Sequence, residues 1–220
     1  MSMDNWSTTR ARSWKEGRVC AWSSIHCIDV NKEVSQNLYF WALVAREPLQ
    51  TEITRLKEVA LQRFQSGRAL RSPAHITLIP PIRLAVSDLD RIQEEFCRQA
   101  ERTPPFCLEL DGVRGFPKRV VYIHVPPSKP LMDLAAQMEM IRTRHFPNHK
   151  QVHHTFNPHV TLAFRDLSPD LYSEALAYFQ ELGLSYTWEA DHLCRLILAE
   201  DGWHVDHICP LGQEPDQIRP

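Results

Sequence analysis

No stretch of the chain approaches 18 uninterrupted apolar residues, so no segment is predicted to cross a bilayer as a helix and no membrane partner is expected. An excess of charge is also lacking: 25 Lys and Arg against 27 Asp and Glu leave a formal net charge of −2. That balance excludes the wrapping of duplex nucleic acid, which needs a strongly basic face, but allows a local basic groove for one nucleotide or one RNA end. Cysteine pairs of the C-x-x-C type are missing. Cys20, Cys27, Cys97, Cys107, Cys194 and Cys209 are scattered, several inside apolar runs. They read as buried reduced thiols, and a reducing compartment, the cytoplasm, is expected. The first residues carry Trp6, Trp14 and Trp22 among basic and polar neighbours with no apolar h-region, so they do not read as a signal peptide. Residues 1–36 show no periodicity and are predicted to form an irregular extension.

What is present is a 43% apolar fraction in 220 residues, enough for one full-size domain or two small lobes sharing a core. Leu38 to Ala45 is a dense apolar run of strand length. Pro48 then opens a helix with Leu49, Ile53, Leu56, Ala60 and Phe64 on one face, stopped near Gly67. A short strand, His75 to Ile79, is predicted to end at Pro80. Ser87 reads as the N-cap of a helix reaching Ala100, and Phe106 to Leu110 alternates as a strand. The second half repeats the pattern. Val120 to Val125 reads as a strand, Ser128 and Pro130 open a helix, and Phe146 to Pro158 is a His-rich loop. His159 to Phe164 is a strand, and Ser168 and Pro169 open a last helix with Leu171, Ala175, Phe179 and Leu182 inward. Three closing strands follow before a polar tail, 211–220.

The halves, about 37–112 and 113–210, align with one another. In each, a strand and a Pro-led helix precede a short strand beginning His-x-Thr-Leu, and a Ser-marked helix follows. Two such units packed face to face would bring the repeated histidines to opposite walls of one cleft. The motifs are His75-Ile76-Thr77-Leu78 and His159-Val160-Thr161-Leu162. Side chains alternate along a strand, so His and Thr share one face while the intervening aliphatics anchor the other in the core. With 11 His in 220 residues, chance gives roughly half an H-x-T per chain, whereas this one holds three. The third, at His153 to Thr155, lies in the polar loop and is read as incidental.

The chemistry suits a phosphodiester. Its hydrolysis needs a base for the nucleophile and an acid for the leaving oxygen, and histidine titrates near neutrality. The threonine hydroxyls can donate to non-bridging phosphate oxygens. The paired H-x-T-L strands, with the order LYFWALV, SPAHITLIPP, FPKRVVYIHV and NPHVTLAF over Leu38 to Pro210, resemble the 2H phosphoesterase superfamily. The likeness is to bacterial proteins described as 2′-5′ RNA ligases or RNA 2′,3′-cyclic phosphodiesterases. The resemblance implies a bilobal, duplicated α+β fold with two small sheets and outer helices around a central cleft. It implies His75 and His159 as the acid–base pair and Thr77 and Thr161 as phosphate binders. The implied activity is metal-independent opening of a nucleotide 2′,3′-cyclic phosphate or RNA end, with reverse 2′-5′ joining open; no cofactor is expected, and the protein is expected to be a monomer. A non-catalytic nucleotide or RNA-end binding module with the same cleft is the alternative.

Weaker candidates are Arg119 and Arg165, which could pair with phosphate, and Tyr122, which could stack on a base. The histidines 145, 149, 153, 154 and 159 do not read as a metal site because Pro147 interrupts the helix their spacing would need. His204, His207 and Cys209 form a weak constellation on one predicted strand, so no metal is expected.

Overall fold

A computed structural model describes residues 36–147 and 156–212. Three histidines of the His-rich loop, His149, His153 and His154, lie outside the described residues, as does the N-terminal extension.

The apolar run forms β1 (Gln36–Val44), interior to a four-stranded sheet. Its antiparallel neighbours are β2 (His75–Ala85) on one side and β8 (His192–Leu198) on the other, with β9 (Trp203–Pro210) beyond β8. A second, three-stranded sheet has the order β4 (Val113–Phe116), β5 (Val120–His124), β6 (His159–Phe164). A two-stranded ribbon joins β3 (Phe106–Asp111) to β7 (Ser185–Ala190). The sequence halves therefore do not map one to a sheet, because β8 and β9 return to the sheet of β1 and β2.

The helices are exchanged as well. The Pro-led helix of the first half, α1 (Leu49–Phe64), packs on β6 of the second sheet. Its counterpart, α3 (Lys129–His145), packs on β2 of the first, beside α2 (Val86–Glu101). The last helix, α4 (Tyr172–Glu181), covers β4 and β5. No described helix is long and apolar enough to cross a membrane. At the centre of the first layer, the fully buried Trp41 meets Phe96 edge-on, with ring centres 4.8 Å apart. Its indole N–H donates to Gln93 Oε1 at 3.0 Å, so the largest apolar side chain also has its one polar atom satisfied.

Several local expectations are corrected. The His75 strand does not stop at Pro80 but runs on to Ala85. Proline lacks an N–H and is excluded from central strands, yet β2 lies at the sheet edge, and the pairing slips between Tyr39 and Trp41, opposite the Pro80–Pro81 pair. Ser87 is not a cap: α2 begins at Val86 with Ala85 in the cap position. The last helix begins at Tyr172, because Ser168 instead closes a local turn onto Asp170 and Leu171, and Leu182 is left exposed beyond its end.

The reading of all six cysteines as reduced thiols is also corrected. Cys97 on α2 is disulfide-bonded to Cys209 on β9, their Cα atoms 5.2 Å apart across 112 residues of sequence. The exchange of β9 into the first sheet creates this proximity, and no sequence spacing announces it. Cys107 and Cys194 are free.

Trp41→Ala, which opens a large cavity and removes one of the two donors to Gln93 Oε1, is expected to lower the unfolding free energy by about 3–5 kcal/mol in urea titration. A loss under about 1 kcal/mol would show that this layer does not carry the core.

Candidate active site

Both His-x-Thr strands have the alternation expected of them. His75, Thr77, His159 and Thr161 are half-buried, whereas Ile76, Leu78, Val160 and Leu162 are buried behind them. The registers also match. Val44 pairs with His75 and Ala42 with Thr77 in the first sheet, and His124 pairs with His159 and Tyr122 with Thr161 in the second. All four motif residues line one cleft of about 490 Å³.

Each imidazole is fixed in the same way. His75 Nδ1 lies 2.7 Å from the carbonyl oxygen of Pro73, and His159 Nδ1 lies 2.7 Å from that of Asn157. A carbonyl only accepts, so in both rings Nδ1 carries the hydrogen and donates it. The neutral form of each then has its lone pair on Nε2, at the far end of the ring. The partner is two residues upstream in both cases, in an extended Pro-containing approach: Pro73-Ala74 before His75 and Asn157-Pro158 before His159. Aromatic rings back both histidines. Phe40 is 5.0 Å from the His75 ring and is itself met edge-on by Trp203. Tyr122 and Phe116 stand 4.9 and 5.6 Å from His159.

Burial pushes the His75 imidazole down to about 4, against its backbone hydrogen bond, with the Lys57 ammonium and His159 adding in the same direction. Lys57 is 2% exposed, donates to Ser72 O at 2.9 Å, and is itself lowered by burial to about 8. His159 is also lowered by burial. Both rings are therefore held toward the neutral form before any anion arrives.

Cation is supplied at the cleft by Arg68, Arg71 and Arg165. Arg71 is engaged with the carbonyls of Glu200 and Asp201, which seats the turn between β8 and β9 and with it Trp203. Glycine is required in that turn: a Cβ on Gly202 would stand 2.5 Å from Arg71 O. Among the described residues, the Arg68 and Arg165 side chains make no hydrogen bond or ion pair, and Arg165 only rests over the Phe164 ring at 5.5 Å. They are positioned by their common neighbour, Asp166. Its carboxylate accepts from Ser66 Oγ at 2.8 Å and from the backbone N–H groups of Gly67 and Arg68 at 2.9 Å each. A tight turn at Arg165, φ 60°, closed by Asp166 N–H donating to Phe164 O, aims the latch. One residue just past the end of β6 thus anchors the 3-10 turn Arg68–Arg71 across the cleft.

The 2′-5′ RNA ligase superfamily model matches residues 45–202, spanning both motifs. The chain belongs to that superfamily. A relative from Oceanobacillus iheyensis, named "Putative phosphoesterase OB1230", is 27% identical over 158 residues, covering 70% of this chain and 89% of that protein. Another phosphoesterase-named relative, from Bacillus mycoides, is 28% identical over 145 residues, covering 64% of this chain and 81% of its own. Among solved structures, E. coli LigT with 3′-AMP superposes with a TM-score of 0.57 at 20% identity, over 81% of this chain and all of LigT. TT0787 of Thermus thermophilus gives 0.57 at 18% identity with the same coverage. These likenesses establish a LigT-like mixed α/β fold for this superfamily member, and the bilobal α+β expectation holds.

Of the weaker sequence candidates, Arg165 lines the cleft. Arg119 is exposed in the turn between β4 and β5 and is not among the lining residues. Tyr122 is 4% exposed and packs behind His159, where it offers no open face to a base. Sequence reasoning missed Arg68, Trp203 and Asp166. Arg68 carried no motif, and Trp203 reaches the cleft only because β9 joins the first sheet.

Two outcomes are expected. Asp166→Ala removes a carboxylate with three donors, costing about 2–3 kcal/mol in urea titration, and should raise KM for an anionic substrate more than it lowers kcat. Unchanged KM would show that the latch does not set the arginines. For His75, the folded-state value lies below the ordinary 6.5, so the unfolded chain binds the proton more readily. Its contribution to stability is full above pH 6.5 and is lost as pH falls toward 4. His75→Asn should flatten the pH dependence of stability in that window.

Proposed function

We propose that the chain is a metal-independent phosphoesterase that opens 2′,3′-cyclic phosphates of nucleotides or RNA ends, with His75 and His159 as general base and acid. The observation that carries this reading is the matched pair of rings on one cleft, each with Nδ1–H spent on a backbone carbonyl and Nε2 left to act. Opening such a ring in line needs proton removal on one side of phosphorus and proton delivery on the other. Two imidazoles on separate strands of one cleft suit that requirement.

His75, held neutral at pH 7 by burial and by the Lys57 field, suits the base that takes a proton from the attacking water. An anionic phosphate in the cleft stabilises the protonated form of His159, which then delivers its Nε2 proton to the departing sugar oxygen. Thr77 and Thr161 donate to non-bridging oxygens, and Arg68 and Arg165 balance the phosphate charge. Phe40 and Trp203 form an apolar wall at the His75 end, where a base can rest. The structures of LigT with 3′-AMP, ATP and NADP+ support a nucleotide as the ligand class. With an RNA 5′-hydroxyl in place of water, the same base and acid serve 2′-5′ joining: one imidazole takes the 5′-hydroxyl proton and the other gives a proton to the departing 3′ oxygen.

The test is turnover of 2′,3′-cyclic AMP in excess chelator. We expect a bell-shaped pH profile, and a loss of about 10²–10⁴-fold in kcat for His75→Ala and for His159→Ala. His75→Ala should remove the acid limb and His159→Ala the alkaline limb. Binding without turnover in the unaltered protein would make it a nucleotide-binding module. Near-normal rates in either variant would end the two-histidine mechanism.

A further inference from the structure

Away from the cleft, the exchange of β9 into the first sheet brings His207 and Cys209 against Cys97 of α2. His207 and Cys209 are two apart on one strand, the spacing that shares a face. One ligand atom from each of the three residues lies within 4.8 Å of the other two. Cys97 Sγ stands 3.5 Å from His207 Nε2. Tetrahedral zinc bonds of about 2.3 Å to sulfur and about 2.0–2.1 Å to nitrogen give an S···N edge of about 3.5 Å. His204, the third member of the constellation read from sequence, is elsewhere, with Nε2 2.8 Å from Asp201 Oδ1.

A second, independent feature concerns the charge the sulfurs are prepared to carry. The buried Gln93 side chain directs its Nε2 at both of them, 3.2 Å from Cys97 Sγ and 3.2 Å from Cys209 Sγ. The amide is not free to turn round. Its Oε1 accepts from Trp41 Nε1 at 3.0 Å and from Arg195 Nη1 at 3.2 Å, so the NH₂ end must face the sulfurs. An N–H donor fixed on two sulfurs contributes little to a neutral disulfide and much to thiolates, where the hydrogen bond is charge-assisted. Two thiolates placed here without a cation would repel one another. The imidazole at the exposed edge completes a donor set that a thiophilic divalent ion satisfies.

We propose that, in the reduced protein, Cys97, Cys209 and His207 bind one Zn²⁺ that clamps α2 to β9, with Gln93 hydrogen-bonded to both thiolates. Binding converts two thiols to thiolates and releases two protons, and the fourth position, on the exposed side of His207, is open to water. The disulfide is the oxidised form of the same site, two electrons removed from the dithiol, and must be reduced by an external reductant such as a thiol or phosphine before both sulfurs can ligate. The other described cysteines do not compete. The Cys194 thiol is pushed up to about 12 by burial and stays protonated, and Cys107 is exposed on β3, outside the cluster. None of the three ligands lines the catalytic cleft, so the clamp is structural and the proposed hydrolysis does not depend on it.

The experiment uses the full chain, reduced with a phosphine, loaded with Zn²⁺, dialysed and assayed for bound metal, with affinity measured against a competing chelator dye. Other cysteines and histidines in the chain, outside the described residues, make the variants decisive. We expect His207→Ala and Cys97→Ser each to lower the affinity of the tightest zinc at least tenfold. Co²⁺ in its place should show a thiolate charge-transfer band that Cys97→Ser diminishes. Zinc should raise the Tm of the reduced unaltered protein and of His75→Ala alike, which separates this site from the catalytic reading. Should Cys97→Ser fail to fold, the exposed His207→Ala decides. Absence of stoichiometric zinc in the reduced protein, or tight binding untouched by His207→Ala, overturns the proposal.

Discussion

One hydrogen bond, made twice, organises the cleft of this molecule: an imidazole N–H given to the carbonyl two residues before it. A neutral histidine has a single proton to donate, so committing Nδ1–H to the backbone decides at once which nitrogen is basic and where the ring lies. The bond needs an extended approach to each strand, which the prolines at 73 and 158 enforce, and a strand whose alternate residues are gripped by the core. Ile76 and Val160, both fully buried, supply that grip. Ring tautomer, strand burial and proline placement are therefore one constraint, met independently in two sheets.

Around that constraint the molecule separates function from support. The cleft floor is neutral and half-buried, which keeps the imidazoles deprotonated, and its cations come from outside the motif strands. Asp166 is the device that makes this possible. A carboxylate just past the end of one motif strand organises the backbone that carries an arginine from the other half, so the two halves set each other's electrostatics.

Much of this was legible in the chain. The H-x-T pairs stood out against chance, the period-two pattern put the right residues on one face, and the helix order was readable from proline and aliphatic spacing. What was not legible depended on exchange between the halves. Nothing in the run Leu193 to Ala199 signals that it sits beside β1 rather than beside its own half, and Trp203 and the Cys97–Cys209 bond follow from that placement. The edge position of β2 was likewise invisible locally, which is why Pro80 read as an end. Arg119 and Tyr122 were proposed from proximity in sequence, and the turn between β4 and β5 carries the first outward while the sheet buries the second.

The exchange of helices has a consequence for how such a protein can change. With α1 packed on the sheet that contains β6 and α3 on the sheet that contains β2, each half lends one helix to the other, while α2 and α4 pack against strands of their own half. A solitary half would lack one of the helices that cover its sheet and would leave the inner face of the helix it lends unpaired. The two halves can therefore change independently in loops and surface, but not in the faces they lend one another.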